Sequence, residues 1–159
     1  MGSGKSTIGK QVAAALGRPF FDNDEMLERA TGHSAAELAA RDGIDRMHEA
    51  EARVLLDALR ATEPAVIAAA ASTITDAQVR CALEAVTVVW LRADPAALAE
   101  RMPGSPTRPF ADRDPVHLVD EQAAVRDPLF AGVAGATFRT DTEPADAVVA
   151  SVLAWFDET

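Results

Sequence analysis

A glycine-rich turn with a lysine and three hydroxyl side chains stands at the start of the 159-residue sequence. Small residues let backbone N–H groups approach phosphate oxygens, a lysine reaches the β- and γ-phosphates, and a serine hydroxyl can bind Mg²⁺. Apolar residues then recur every four positions, which predicts a helix whose N-terminus faces the same phosphates. The competing interpretation is a solvated turn with an incidental lysine. The predicted phosphate-binding residues are Gly2, Ser3, Gly4, Lys5, Ser6 and Thr7.

The phosphate-binding pattern is incomplete. Its full form, G-x-x-x-x-G-K-[ST], follows a β-strand, whereas Gly4, Lys5 and Ser6 supply only its end and Met1 stands in its third position. We therefore expect the natural protein to begin upstream of Met1. The alternatives are a truncated chain that is poorly folded or inactive, or a turn that does not bind phosphate.

Two aspartates follow the next apolar segment, PFF, and are the best available carboxylates for a magnesium ion. Asp22 and Asp24 stand where a strand is expected to end, which is where P-loop proteins often place an aspartate. The third apolar segment, AVIAAAAS, ends without one. Paired aspartates after a strand are also common as turn formers and helix caps, and spacing alone does not separate the two roles.

Composition limits the class of protein. The net charge of −10 argues against a general nucleic-acid binder. A single cysteine excludes an internal disulfide framework, and runs such as AVIAAAA are too short to cross a bilayer. We expect a cytoplasmic monomer with no membrane or nucleic-acid partner. Four arginines in the second half suggest an anionic ligand, although solvated helix faces also explain such clusters: Arg101, Arg108, Arg113 and Arg126.

The elements that must position these residues alternate along the chain. Helical spacing is expected from Ser6 to Leu16, and SAAE, with capping-box spacing, begins a short helix that stops near Gly43. Further helices are expected around Met47 to Leu59, in TITDAQVRCALEA, after Asp94, in VHLVDEQAAV and PLFAGVA, and from Pro144 to Trp155. Strands are expected in PFFDND, AVIAAAAS, VTVVWLRA and ATFRTD. This alternation predicts an α/β fold with a parallel sheet in one domain, residues 1–159.

One long segment breaks the alternation. MPGSPTRPFADRDP, within about 102–115, contains four prolines and a glycine. A loop of this length in a compact domain is often functional, so we expect a lid.

These segments together resemble the shikimate kinase family of P-loop enzymes along nearly the whole chain. The resemblance rests on GSGKST, on FFDND and TGHS after it, on RMPGSPTRPF, on AVRDPLFAGVA and on TDTEP. It implies a three-layer P-loop kinase fold, with a short parallel sheet flanked by helices. In that fold the strand before the P-loop is central, so this first strand appears to be missing from the sequence.

The resemblance also implies roles for single residues. Lys5 and Ser6 would bind ATP and magnesium, Asp22 would hold the metal through water, and Asp24 would hold the acceptor hydroxyl and could deprotonate it. The lid residue Arg108 would stabilise the transferring phosphate, which fits the charge that develops in phosphoryl transfer. Arg101 and Pro144 would flank adenine, and Arg126 would pair with the acceptor's carboxylate.

The sequence departs from the family at the acceptor site. Ala70, Ala71 and Ser72 replace three glycines, so each added Cβ is expected to narrow the pocket or shift the turn. His48 replaces a second carboxylate-binding arginine in MHEAE, where Glu51 is retained. Losing one partner of a buried charge pair costs about 2 to 5 kcal/mol, so shikimate would bind roughly 30-fold to several thousandfold more weakly. A surface histidine of no function is the alternative for His48.

The leading hypothesis is a kinase that uses ATP and Mg²⁺ to phosphorylate a hydroxyl of a small carboxylated polyol, with shikimate as the first candidate. A kinase of another acceptor, such as gluconate, is a neighbouring hypothesis. A nucleotide-binding protein without kinase activity is the alternative from another class.

Overall fold

The computed structural model describes residues 2–101 and 115–159. Its strands are β1 (Phe20–Asp22), β2 (Val66–Ala68), β3 (Val89–Arg92) and β4 (Ala136–Arg139). Its helices are α1 (Lys5–Leu16), α2 (Asn23–Thr31), α3 (Ala35–Asp42), α4 (Ile44–Leu59), α5 (Ala77–Leu83), α6 (Pro95–Arg101), α7 (Pro115–Val133) and α8 (Ala145–Asp157), with a 3₁₀ helix at Ala71–Thr75. None of the helices in these ranges is long and apolar enough to span a bilayer.

Local signals set most helix ends where the sequence predicts them. Gly17 closes α1 in the left-handed conformation, with φ +62°. Ser34 and Glu37 form the reciprocal capping box that starts α3, and Gly43 ends that helix. These ends depend on side-chain and backbone groups close in sequence, which is why the pattern alone predicts them.

All strand pairs are parallel, but they form two separate sheets of two strands each. Strand β1 pairs with β2, and β3 pairs with β4. The parallel α/β class is therefore confirmed, while the described residues do not form one continuous sheet. The α1 residues Ile8 and Val12 pack against Val148 and Val152 of α8, and partly buried residues of β2, β3 and β4 join this cluster.

Two smaller clusters support the other side of the fold. Leu27 of α2 and Met47 of α4 are buried together with Leu38 of α3. Further along α4, Leu55 is buried with Val79 of α5. The long helix α4 thus fixes α2 on one side and the chain after β2 on the other.

Several predicted elements differ in extent, two of them most clearly. AVIAAAAS forms a strand of only three residues, Val66–Ala68, and the chain turns into a 3₁₀ helix at Ala71. The two helices expected around Pro128 are one helix, α7, with the proline inside it. Packing on both sides of Pro128 offsets the lost hydrogen bond: Val119 is buried before it, and Phe130 stacks on Trp90 of β3 after it at 5.5 Å.

Candidate functional site

The glycine-rich turn has the shape of a phosphate cradle. Gly2 and Gly4 have φ of +74° and +81°, in the left-handed region that favours glycine. Gly4 is also the N-cap of α1, so the free N–H groups of the helix start at Lys5. Ser3 lies between them and is buried. The predicted turn and its helix are therefore present with the geometry that anion binding requires.

Lys5 lies at the centre of a group of charged side chains. Burial lowers its pKa, the negative charges of Asp24 and Asp22 oppose that change, and Arg126 adds to it. The fold thus brings four of the predicted site residues within electrostatic reach of one another. A bound phosphate would supply the negative charge that favours the charged lysine.

Ser6 and Asp22, the two predicted magnesium residues, are in direct contact. The Ser6 hydroxyl donates a hydrogen bond to Asp22 Oδ2 at 2.5 Å. The other carboxylate oxygen, Oδ1, accepts from the backbone N–H of Asp24 at 3.1 Å and so caps α2. Asp22 therefore caps α2, which is one of the two roles that its spacing left open, while its role at a magnesium ion stays a prediction.

These two residues fit a magnesium ion. A hard cation takes oxygen ligands, and Mg²⁺ is commonly held by one or two protein groups together with phosphate oxygens and water. Within residues 2–101 and 115–159, no group of three or more His, Cys, Asp or Glu could hold a metal ion. Ser6 and Asp22 are the residues that would hold a metal at this position, together with phosphate oxygens or water.

Asp24 stands at the start of α2, beside the cradle. Loss of hydration raises its pKa most, and the charge of Asp22 raises it further, while Lys5 opposes both. A carboxylate with a raised pKa is a better proton acceptor than an ordinary aspartate. This electrostatic setting is consistent with the role predicted for Asp24 at an acceptor hydroxyl.

The two residues predicted to flank adenine lie near one segment after β4. Arg101, at the end of α6, donates to the backbone oxygen of Thr140 at 2.8 Å and to that of Gly2 at 3.4 Å. Pro144 is the N-cap of α8, four positions after Thr140. Arg101 therefore links the phosphate cradle to the loop that precedes Pro144.

The acceptor side is built around a buried glutamate. Ser72 and Glu51 are both buried, and the Ser72 hydroxyl donates a hydrogen bond to Glu51 Oε2. Burial raises the pKa of Glu51, and the bond from Ser72 partly opposes that change. Ala70 has an ordinary φ of −64° at the start of the 3₁₀ helix. Both Ala70 and Ala71 line a cavity that adjoins the site. The replacements for glycine are thus accommodated by a tight turn.

His48 and Arg126 lie on the acceptor side as well. Electrostatic interaction with each of them opposes the rise in the pKa of Glu51, so each lies within electrostatic reach of that carboxylate. Burial lowers the pKa of Arg126, and its guanidinium donates to Gln122 at 2.9 Å. The Arg126 guanidinium is therefore held against α7 by a hydrogen bond to the neutral side chain of Gln122.

Asn23, between the two predicted aspartates, is a buried polar residue beside the site that sequence reasoning missed. It is 1% exposed, its amide donates to the backbone oxygen of Glu51 at 3.4 Å, and its Oδ1 has no hydrogen-bond partner among residues 2–101 and 115–159. Its position between Asp22 and Asp24 is visible in the sequence, but its burial under α4 is a tertiary property that no local pattern predicts.

Arg108 and the expected lid within 102–115 lie outside the described residues, apart from Pro115 at the start of α7.

A cavity of about 890 Å³ adjoins the site. Its lining includes Ser3, Lys5 and Arg126 together with many apolar residues of the strands and helices and further charged residues such as Arg92 and Asp94. The predicted phosphate, acceptor and metal groups thus converge at the carboxyl ends of parallel strands, where α/β proteins bind ligands.

Comparison with known proteins agrees with this arrangement. The shikimate kinase family model matches residues 1–157. The shikimate kinase of Zymomonas mobilis is 35% identical over 155 residues, covering 96% of this chain and 87% of its own. That of Mycobacterium tuberculosis is 38% identical over 142 residues, covering 89% and 79%.

A solved structure gives the same answer for the fold. Shikimate kinase from Acinetobacter baumannii, in complex with shikimate, superposes with a TM-score of 0.92 at 28% identity, over 99% of this chain and 89% of its own. The predicted P-loop kinase fold is therefore confirmed. The chain belongs to the shikimate kinase family.

Proposed function

We propose that this protein transfers the γ-phosphate of ATP to a hydroxyl of a small carboxylated polyol, with shikimate as the first candidate. The observation that carries the proposal is the convergence of Lys5, Ser6, Asp22, Asp24 and Arg126 at one end of the parallel strands. Family membership supplies the substrate class, since a relative of the same fold binds shikimate.

The cradle and Lys5 would hold the nucleotide. Backbone N–H groups at Gly4 and the start of α1 would bind phosphate oxygens, and Lys5 would neutralise charge on the β- and γ-phosphates. Ser6 and Asp22 would hold Mg²⁺. When bound, that ion would neutralise charge on the phosphate oxygens.

Asp24 and Arg126 would orient the acceptor. The carboxylate of Asp24 would accept a hydrogen bond from the reacting hydroxyl and take its proton as the new O–P bond forms. Arg126 would pair with the acceptor's carboxylate. His48 stands in place of the family's second carboxylate-binding arginine. It would make a weaker contact with the acceptor because histidine is mostly neutral near pH 7.

The remaining roles follow the family. Arg108 would stabilise the transferring phosphate, Arg101 and Pro144 would flank adenine, and the enzyme would act as a cytoplasmic monomer with one domain and a lid. Support for Arg101 comes from its bonds to Gly2 and Thr140, which place it between cradle and loop.

The proposal is tested by ADP release with MgATP and each of three conditions: shikimate, gluconate and no acceptor. We expect acceptor-dependent ADP release with shikimate and a product heavier by one phosphate in mass spectrometry. Turnover with gluconate alone would reassign the acceptor. ATP binding by calorimetry with no transfer to any acceptor would instead support the nucleotide-binding protein without kinase activity.

A further inference from the structure

Asn23 is a buried polar residue at a place where packing alone would favour an apolar one. Residues four positions apart share a face of a helix, and Leu27, one turn after Asn23 on α2, is buried in one cluster with Met47 of α4. One turn along the same contact, Asn23 is equally buried and bonds to Glu51, which lies one turn after Met47. The contact between α2 and α4 thus changes from apolar to polar at the end that adjoins Asp22.

The asparagine is not needed to satisfy the backbone of α4. Its amide donates to the Glu51 carbonyl at 3.4 Å, but Glu51 lies inside α4, where its carbonyl also accepts a hydrogen bond from within the helix. The Oδ1 of Asn23 has no partner in the described part of the chain. A buried acceptor without a partner lowers the free energy of unfolding, so stability does not explain an asparagine here.

The hydrogen bond gives the contact a direction that apolar packing lacks. An amide has a donor end and an acceptor end, and only the donor end can face a carbonyl. If the Asn23 amide turned over, its Oδ1 would lie against the Glu51 carbonyl oxygen, which is a contact between two acceptors. Asn23 therefore has one favoured orientation, and it fixes the position of the first turn of α2 along α4.

This first turn carries both of the predicted site carboxylates. Asp22, directly before Asn23, accepts from the Ser6 hydroxyl through one oxygen and from the Asp24 N–H through the other. Asp24, directly after Asn23, lies within electrostatic reach of Lys5. The side chains on both sides of Asn23 thus face the site, while Asn23 itself points into the contact with α4.

The far side of the contact belongs to the predicted acceptor side, since the Ser72 hydroxyl donates to Glu51 Oε2. We propose that Asn23 is a positioning residue, which holds the carboxylates of Asp22 and Asp24 in place relative to the acceptor side at Glu51. It acts through these neighbours and binds neither substrate nor metal itself. The inference rests on the proposed function, because the relative position of the two sides limits the rate only if a phosphate passes between them. A misplacement of about 1 Å can lower such a rate on the order of 100-fold.

Replacing Asn23 by leucine tests the proposal, because leucine also branches at Cγ but has neither the donor nor the unpartnered acceptor. We expect kcat to fall about 10- to 100-fold and KM for ATP to change by less than about twofold, since the phosphate cradle does not depend on Asn23. The midpoint of urea unfolding should stay the same or rise, because a buried polar group without a partner is removed.

Met47→Leu is the matched control. It alters the same contact between α2 and α4 without changing a polar group, so kcat should stay within about twofold of the parent. A residue that only stabilises the fold would give another pattern. Unchanged kcat in a folded Asn23→Leu chain would overturn the proposal, and so would an unfolding midpoint that falls in step with kcat.

Hydrogen exchange gives a second readout that needs no catalysis. In Asn23→Leu we expect the Asp24 amide, which bonds to Asp22, to exchange about 10-fold faster than in the parent, with no change at the Leu27 amide. If leucine prevents folding, Asn23→Ala adds no bulk and the same two amides are compared. Equal changes at both amides, or no change at either, would contradict the proposal. Absence of ADP release by the parent with every acceptor would instead refute the proposed function, and exchange at Asp24 would still test the positioning.

Discussion

The predicted nucleotide half of this site (Lys5, Ser6 and Asp22) and its predicted acceptor half (His48, Glu51 and Ser72) differ in how they use charge. In the nucleotide half, Lys5 and Ser6 lie at the start of α1 and Asp22 lies at the end of β1. Their ammonium, hydroxyl and carboxylate groups are those that phosphate and magnesium need. In the acceptor half, Ser72 and Glu51 form a buried pair, and a histidine stands where the family has a permanent cation. Under the proposed function, the chemistry of transfer would depend on residues that follow the family pattern. The choice of acceptor would depend on residues that do not.

The largest effect should come from the nucleotide half. Replacing Lys5 by methionine removes the cation from the cradle, and we expect turnover to fall on the order of 1,000-fold, about 4 kcal/mol of transition-state stabilisation. Lys10→Met is the matched control, because Lys10 is exposed on the same helix and pairs only loosely with Glu25 at 4.0 Å. Equal losses in steady-state kcat for the two variants would show that Lys5 has no special role.

Much of the nucleotide half could be predicted because its signals are local. The helix after the turn follows from the spacing of Ile8 and Val12, and its end follows from Gly17. Ser6 and Asp22 were both predicted to bind magnesium, and the fold brings them into contact at the edge where parallel strands end.

Restoring a cation in the acceptor half should give the next largest effect. His48→Arg supplies a permanent charge and a two-pronged donor for the acceptor's carboxylate, so we expect KM for shikimate to fall about 30-fold or more, at least 2 kcal/mol. Glu49→Arg is the control, because it places the same side chain on the neighbouring exposed position of α4.

A second substrate sharpens this test. The methyl ester of shikimate lacks the charged carboxylate, so the gain from His48→Arg should largely disappear with the ester. A gain that persists with the ester, or that Glu49→Arg reproduces, would show a general electrostatic effect and would remove His48 from the acceptor site.

The acceptor half was harder to predict because its key contacts are tertiary. AVIAAAAS reads as one long strand, yet the chain leaves the sheet after Ala68 and Thr73 Oγ1 bonds to the Ala70 carbonyl at 2.7 Å. Alanine runs carry little information about where a strand ends. The burial of Asn23 and the pairing of Ser72 with Glu51 join residues 28 and 21 positions apart, which no local pattern reports.

A stability change should follow from breaking the buried pair. Ser72→Ala removes the hydroxyl that donates to Glu51 and leaves a buried carboxylate with one partner fewer, so the free energy of unfolding should fall by about 1 to 3 kcal/mol. Urea denaturation measures it. Thr75→Ala is the control, since Thr75 is exposed on the same 3₁₀ helix and its hydroxyl donates to the backbone oxygen of Ser72 and not to Glu51.

The same pair allows a double-mutant cycle. If the hydroxyl acts through Glu51, Ser72→Ala should cost clearly less in a Glu51→Gln background, because no buried carboxylate remains to be stabilised. Additive losses would show that Ser72 acts through packing alone.

The smallest effect is a dependence of stability on pH that belongs to Glu51. Burial raises its pKa above the ordinary 4.5, so between 4.5 and the raised pKa the native protein binds more protons than the unfolded chain. The contribution of Glu51 to the free energy of unfolding is therefore fully present below pH 4.5 and is lost as pH rises through that window. Glutamine does not titrate, so Glu51→Gln should become more stable relative to the parent as pH rises, and the difference should level off above the raised pKa. Asp24, His48 and Arg126 act on the same carboxylate but are present in both proteins, so subtraction removes most of their own titration. A difference that stays constant with pH would mean that Glu51 ionises as an ordinary glutamate and that its burial does not disfavour the charged form.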